Sequence, residues 1–268
     1  MLNEDELARI CVVLVRARNP ANIGAVARAM HDFGFSRLRV VNEFAVPFEA
    51  AKSAVDASAV MENATIYTSV AEAIGDCTLV VGTTAVGERD LQHSLLPLAE
   101  AAPLVHAELR RKQATMEEAT ASPAQVAIVF GSEKTGLSNE ELSHCNWLLT
   151  IPMHLHAGLR HPSMNLGQAV AVCLYELVRD SPSDASKTVI DWARMNSAEA
   201  VDAATQERMT ALLIEVMEKT EYTRRHAANS GTDHVRRLVR RMGAGQGEAP
   251  VWIGVLRQIL WKLGGSKQ

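Results

Sequence analysis

Short, nearly unbroken apolar runs recur through the first 151 residues, and they restrict the fold more than any other feature. They are 9–16 (Arg-Ile-Cys-Val-Val-Leu-Val-Arg), 37–42, 78–83, 125–130 and 147–151. Each is strand length; 9–16 is continuously apolar between its end arginines and reads as a strand buried on both faces, whereas 37–42 (Arg-Leu-Arg-Val-Val-Asn) is more polar and reads simply as a second strand. Ala64–Tyr67 adds a sixth. Between them lie helical stretches: one opening at Asn19-Pro20, then 69–74, 94–118, 138–144 and 164–179. Strands alternating with helices specify an α/β domain with a doubly wound parallel sheet.

The chain is 47% hydrophobic and 22% charged, enough to build an ordinary core. No run approaches the ~18 apolar residues of a membrane span. The acidic start lacks a signal peptide's basic region, so the expectation is a cytoplasmic protein with no membrane partner. Cys11, Cys77, Cys145 and Cys173 form no C-x-x-C pair and read as reduced, buried thiols, with no metal site expected.

Ser181-Pro182-Ser183-Asp184 is a polar break, placing one domain at 1–180 and a helical, basic extension at 181–268. Residues 1–180 hold 14 Lys and Arg against 21 Asp and Glu, whereas residues 219–268 hold 10 against 3. Such asymmetry suits a phosphate-binding appendage, and equally a helix kept soluble by arginine. The extension carries three apolar faces: Met209, Leu212, Leu213, Val216 and Met217; Val235, Leu238, Val239 and Met242; and Trp252, Val255, Leu256, Ile259 and Leu263. Arg236, Arg237, Arg240 and Arg241 are expected opposite Leu238 and Met242, free to follow an RNA backbone.

The familiar nucleotide signatures are missing. No G-x-G-x-x-G follows a strand, and Gly131-Ser132-Glu133-Lys134-Thr135-Gly136 has a phosphate loop's letters in the wrong order. The glycines of 243–247 follow a helix and read as an inter-helix loop. Three other segments are more informative. In 19–30, Ile23, Val26, Ala27 and Met30 face inward, while Ala21, Gly24, Ala25 and Arg28 make a small-residue face with one cation. The segment 127–138 runs from a buried strand through a glycine-flanked loop into a helix capped by Ser138. Leu149-Thr150-Ile151-Pro152-Met153 ends a strand, and Ser163 is placed as the N-cap of the following helix. Read alone, Arg28 is also an ordinary surface arginine, and Ser163 and Asn165 are also ordinary caps.

Together, N-x-G-x-x-x-R at 22–28, F-G-x-E-x-x-G-L at 130–137, and I-P-M followed by S-x-N-L at 163–166 resemble the SPOUT superfamily of RNA methyltransferases. The likeness covers roughly residues 8–180 and is greatest to the TrmH-like 2′-O-ribose methyltransferases. The Arg-Arg-Leu-Val-Arg-Arg helix and the Trp/Leu-rich helix after it resemble the tail of the bacterial TrmJ family, which methylates the ribose at position 32 of the tRNA anticodon loop.

The resemblance implies a Rossmann-like sheet with a C-terminal trefoil knot, a homodimer, and tRNA as partner. It implies S-adenosylmethionine as cofactor, leaving as S-adenosylhomocysteine. Thr83, Thr84, Gly131, Ser132, Glu133, Gly136, Leu137, Ile151, Pro152, Met153, Met164 and Leu166 would line the cofactor pocket. Arg28, Ser163 and Asn165 would be catalytic, and Asn22 would contact RNA with the four tail arginines. Ribosomal RNA methylation and a non-catalytic knotted RNA-binding protein are the alternative functions. One departure is the loop 153–162, longer than the TrmJ pattern and holding His154, His156 and His161; it is expected to touch RNA or cover the cofactor.

Overall fold

All six residues of β1 (Ile10–Val15) are buried, as a strand flanked on both edges and covered on both faces must be. The computed structural model describes residues 2–42, 58–85, 91–111, 123–154, 163–179, 201–226 and 230–264. The other strands are β2 (Arg37–Val41), β3 (Thr65–Tyr67), β4 (Leu79–Thr83), β5 (Leu95–Pro97), β6 (Val126–Phe130) and β7 (Trp147–Thr150). They form one sheet in the order β3-β2-β1-β6-β4-β7-β5, every pairing parallel.

Alternate residues of β1 feed two core layers. Ile10, Val12 and Leu14 join α2 (Pro20–Asp32), α5 (Leu98–Arg110) and α7 (Leu166–Val178) on one face. Cys11, Val13 and Val15 join α4 (Val70–Ala73) and α6 (Asn139–Ser143) on the other. Short helices α1 (Glu4–Leu7) and α3 (Ser58–Glu62) complete this part. The four cysteines are buried free thiols. Gly82 in β4 admits no side chain, because a Cβ there would lie 2.7 Å from Cys145 Sγ.

The expected α/β architecture is present, with one strand more than the sequence suggested. Leu95–Pro97, read as the start of a helix near 94–118, is a three-residue edge strand beside β7. The helix begins only at Leu98, ends at Arg110, and accommodates Pro103 inside it. The break at 181–184 and the loop 155–162 lie outside the described residues. Among the described residues, no helix is long and apolar enough to cross a membrane.

Beyond residue 200 the described elements are helical: α8 (Ala203–Lys219), α9 (Tyr222–Arg225), α10 (Thr232–Met242) and α11 (Ala249–Gly264). Here the sequence expectation needs correction, because α10 is turned by roughly a quarter turn from the predicted orientation. Val235 and Val239 are buried as expected, but so are Arg237 and Arg240, while Leu238 and Met242 stand exposed. The cause is a carboxylate outside the helix. Glu207 of α8 accepts from Arg236 Nε at 3.0 Å and Arg240 Nη2 at 3.1 Å, and Arg236 Nη1 also donates to Ser143 Oγ at 2.9 Å. Arg237 pairs with Asp233 one turn earlier, leaving Arg241 as the exposed member of the four.

Burial works to raise the Glu207 pKa, but the His144 imidazole 3.2 Å away and the charges of Arg236 and Arg240 outweigh it, holding the carboxyl at about 2. Removing the half-buried carboxylate would leave the buried Arg240 guanidinium without its counter-charge. Glu207→Ala should therefore cost about 3 kcal/mol in urea unfolding and speed proteolysis of α10. A second test is pH. His93 lies beside Arg237 in a small polar cavity, and burial, then the charges of Arg237 and Arg241, push its pKa down to about 4 from 6.5. The unfolded chain thus binds a proton that the folded one refuses, so stability falls as pH drops from 6.5 towards 4. His93→Gln should flatten that slope in unfolding curves measured across this range.

Candidate active site

The carboxyl ends of β4, β6 and β7 lie side by side, where an open parallel sheet places its ligands. Thr83 pairs with Leu149, and Gly82 with Val129. Thr83 Oγ1 donates to the Val129 carbonyl at 3.0 Å, and Thr84 N–H donates to the Leu149 carbonyl at 3.0 Å. These bonds bring Thr83, Thr84, Gly131 and Ile151 to one edge. Thr150 Oγ1 is buried at the same edge with no hydrogen-bond partner among the described residues.

After β6 the chain turns tightly. Gly136 N–H donates to the Ser132 carbonyl at 2.8 Å, with Gly136 in the left-handed region at φ 65°. Gly131 faces that turn so closely that a Cβ would sit 2.2 Å from both Gly136 C and Leu137 N. Only hydrogen fits there. Leu137 is buried beneath the loop, while Glu133, Lys134 and Thr135 project outward. Ser138 then caps α6 in a reciprocal box with Glu141, as its sequence position predicts.

Glu133 ties this loop to the first motif. Its carboxylate accepts from Arg18 N–H at 3.3 Å, Asn19 N–H at 3.2 Å and Asn22 Nδ2 at 3.0 Å. Burial raises its pKa, but these donors prevail and the carboxyl titrates below its ordinary range. Asn19 caps α2 by accepting from Ala21 N–H, with Pro20 at the first helical position, as expected. Asn165 Nδ2 donates to Asn22 Oδ1 at 2.8 Å, bringing in the third motif. Asn22, Glu133 and Asn165, 143 residues apart at the extremes, thus form one chain of hydrogen bonds.

The N-cap of α7 also needs correction. Asn165, not Ser163, accepts from Gly167 N–H and Gln168 N–H. Ser163 lies two residues earlier, exposed beside Met164, and Leu166 is buried as the first residue of the helix. The small-residue face of α2 receives α7 itself, since a Cβ on Gly167 would lie 2.6 Å from Ala25 Cβ. Gly24 is buried, whereas Arg28 is exposed, ~9 Å further along the helix axis than Asn22. Arg28 and Ser163 are not drawn into the Asn22–Glu133–Asn165 chain. Pro152 and Met153 follow β7 outside any helix or strand, and His156 and His161 lie outside the described residues.

The sequence reading passed over Arg16 and Glu141. Arg16 Nε and Nη2 fork onto Glu141 at 2.6 and 2.8 Å, and Nη2 reaches the Gly136 carbonyl at 3.2 Å. The spacing Ser138-x-x-Glu141 signals the cap, but nothing local announces the arginine. A cavity of about 240 Å³ beside it, lined by Arg16, Glu141, His144 and Arg236, lies at the ends of β1 and β2.

Residues 9–175 match the SpoU rRNA Methylase family. The chain is 36% identical over 171 residues to the tRNA (cytidine-2′-O-)-methyltransferase TrmJ of Methanocaldococcus jannaschii, covering 63% of this chain and 66% of that protein, just under two thirds of its length. It is 31% identical over 254 residues to the tRNA (cytidine/uridine-2′-O-)-methyltransferase TrmJ of Yersinia enterocolitica, covering 94% of this chain and 92% of that one. In fold it is similar to the crystal structure of TrmJ from Z. mobilis, with a TM-score of 0.72 at 24% identity, over 94% of this chain and 100% of that one.

The tightest constraint at the site gives the sharpest test. Gly131→Ala forces a methyl group into the 136–137 peptide and should cost about 3 kcal/mol. Thermal unfolding measures the loss, and Gly247→Ala, with open space around it, should leave the melting temperature almost unmoved.

Proposed function

The chain belongs to the SpoU methylase family, and from that membership we propose that it transfers a methyl group from S-adenosylmethionine to a ribose 2′-hydroxyl of tRNA, at position 32 of the anticodon loop. The observation that carries this reading is the union of three separated motifs through Glu133, Asn22 and Asn165. It is supported by relatives named as tRNA 2′-O-methyltransferases.

The residues present fit the cofactor. The Gly131–Leu137 turn is held tightly at Gly131, where a side chain would strike the 136–137 peptide, so its backbone keeps one fixed shape against which a ligand can be seated. Leu137 and Leu166 supply buried apolar walls, and the buried Thr150 hydroxyl, without a partner among the described residues, lies beside Ile151 as a polar contact. Thr83, Thr84, Ser132, Gly136, Pro152, Met153 and Met164 complete the proposed contacts. When bound, S-adenosylmethionine supplies a cationic sulfonium whose methyl group is open to attack.

The protein's task is then to orient the ribose, whose hydroxyl proton passes to solvent water as the oxygen takes the methyl group from sulfur. Arginine with a pKa above ~12 is a poor base. The better role for exposed Arg28 is to stabilise the developing alkoxide and hold a neighbouring phosphate. Asn165, shared between the helix cap and Asn22, fixes the start of α7, and Ser163 presents an exposed hydroxyl beside it. We place the enzyme in the cytoplasm as a homodimer, Arg28 of each protomer serving the other's cofactor. The exposed stripe of Trp252, Val255, Ile259 and Leu263 on α11 is the apolar surface a second copy would cover. In the tail, Arg241 is the member of the four arginines presented to RNA, because the others meet carboxylates. The division at 180/181 separates methyl transfer from this extension.

Labelled S-adenosylmethionine and unmodified tRNA transcripts should give a ribose methyl at nucleotide 32, mapped by mass spectrometry. Arg28→Ala should lower turnover by about 100-fold or more while the protein still binds S-adenosylhomocysteine. Incorporation into ribosomal RNA alone would keep the chemistry and replace the substrate.

A further inference from the structure

Arg16 closes β1 with a φ of 54°, in the left-handed region that a side chain with a Cβ enters at a cost. Such a backbone persists only where its surroundings over-determine it. Here the backbone N–H donates to the Val41 carbonyl at 2.8 Å, and the guanidinium is held at two further points. Nε and Nη2 form a forked pair with the buried Glu141 carboxylate, at 2.6 and 2.8 Å. Nη2 also donates to the Gly136 carbonyl at 3.2 Å. Glu141 in turn accepts from Ser138 N–H at 2.6 Å, so the same charge pair grips the cap beyond the loop.

The Gly136 carbonyl belongs to the 136–137 peptide. That is the unit against which Gly131 packs with no room for a methyl group. One peptide plane is therefore confined by Gly131 and by Arg16. We propose that Arg16 is a positioning residue for the cofactor loop, setting the Gly136–Leu137 peptide and through it the affinity for S-adenosylmethionine. This rests on the methyltransferase reading above.

The backbone strain supplies a clean variant. Glycine takes a φ of 54° freely, so Arg16→Gly removes the guanidinium while relieving the main chain. Arg16→Lys keeps a charge but cannot fork onto a carboxylate and reach a carbonyl together. Calorimetric titration with S-adenosylhomocysteine should show binding weakened about tenfold in Arg16→Gly, with Arg16→Lys in between. The melting temperature of ligand-free Arg16→Gly should fall by several degrees, because the buried Glu141 carboxylate loses its charged partner, but the transition should stay cooperative. In methyl transfer, the KM for S-adenosylmethionine should rise by a similar factor while kcat changes little. Unchanged affinity in Arg16→Gly beside a parent that binds normally would overturn the assignment and leave the function standing. Collapse of the ligand-free melt in both variants would assign Arg16 to the general fold and also overturn it. A parent that binds neither S-adenosylhomocysteine nor S-adenosylmethionine would overturn the function and this inference together.

Discussion

A carboxylate with three donors, contributed by a segment more than a hundred residues earlier, holds the site together. Glu133 projects from the loop after β6 and satisfies the first free amides ahead of α2, together with Asn22. Helix starts leave such amides unpaired, and a negative group there is doubly favoured by hydrogen bonding and by the helix dipole. Because Asn22 passes the connection to Asn165, the start of α7 is fixed by the same carboxylate. The sheet delivers these three segments to one end, and Glu133 sets their spacing.

Much of this was legible because it follows from local rules. Val-rich runs gave the strands, Asn19-Pro20 gave the start of α2, and Ser138 gave that of α6. What escaped depended on distant partners. Leu95–Pro97 is a strand because β7 offers an edge, and three residues carry no periodicity of their own. Ser163 and Asn165 are both capping types two positions apart, and Asn165 serves as the cap with Asn22 as its second partner. The orientation of α10 was misread because hydropathy puts arginine outside, and Glu207, 29 residues before Arg236, reverses that preference. The site motifs were visible as patterns, but Arg16 and its carboxylate were not.

Glu207 also changes what the tail's basic charge means. An excess of Lys and Arg over residues 219–268 suited either a phosphate-binding surface or a helix kept soluble by arginine. Three of the four clustered arginines instead meet Glu207 or Asp233, and Glu207 also touches His144 at the end of α6. The extension is thereby docked on the helix that follows the Gly131–Leu137 loop. Part of its charge is structural, neutralised inside the molecule before any partner arrives.

The strand order has a consequence in time. β1 lies between β2 and β6, so one edge of the most buried strand has no neighbour until residues 126–130 exist. A ribosome adding about 5–20 residues per second needs on the order of ten seconds to cover that interval. Throughout it, a hydrophobic ribbon must wait with half its backbone unpaired, the condition in which nascent chains aggregate or recruit chaperones. For this topology, the pace of translation is part of the folding problem.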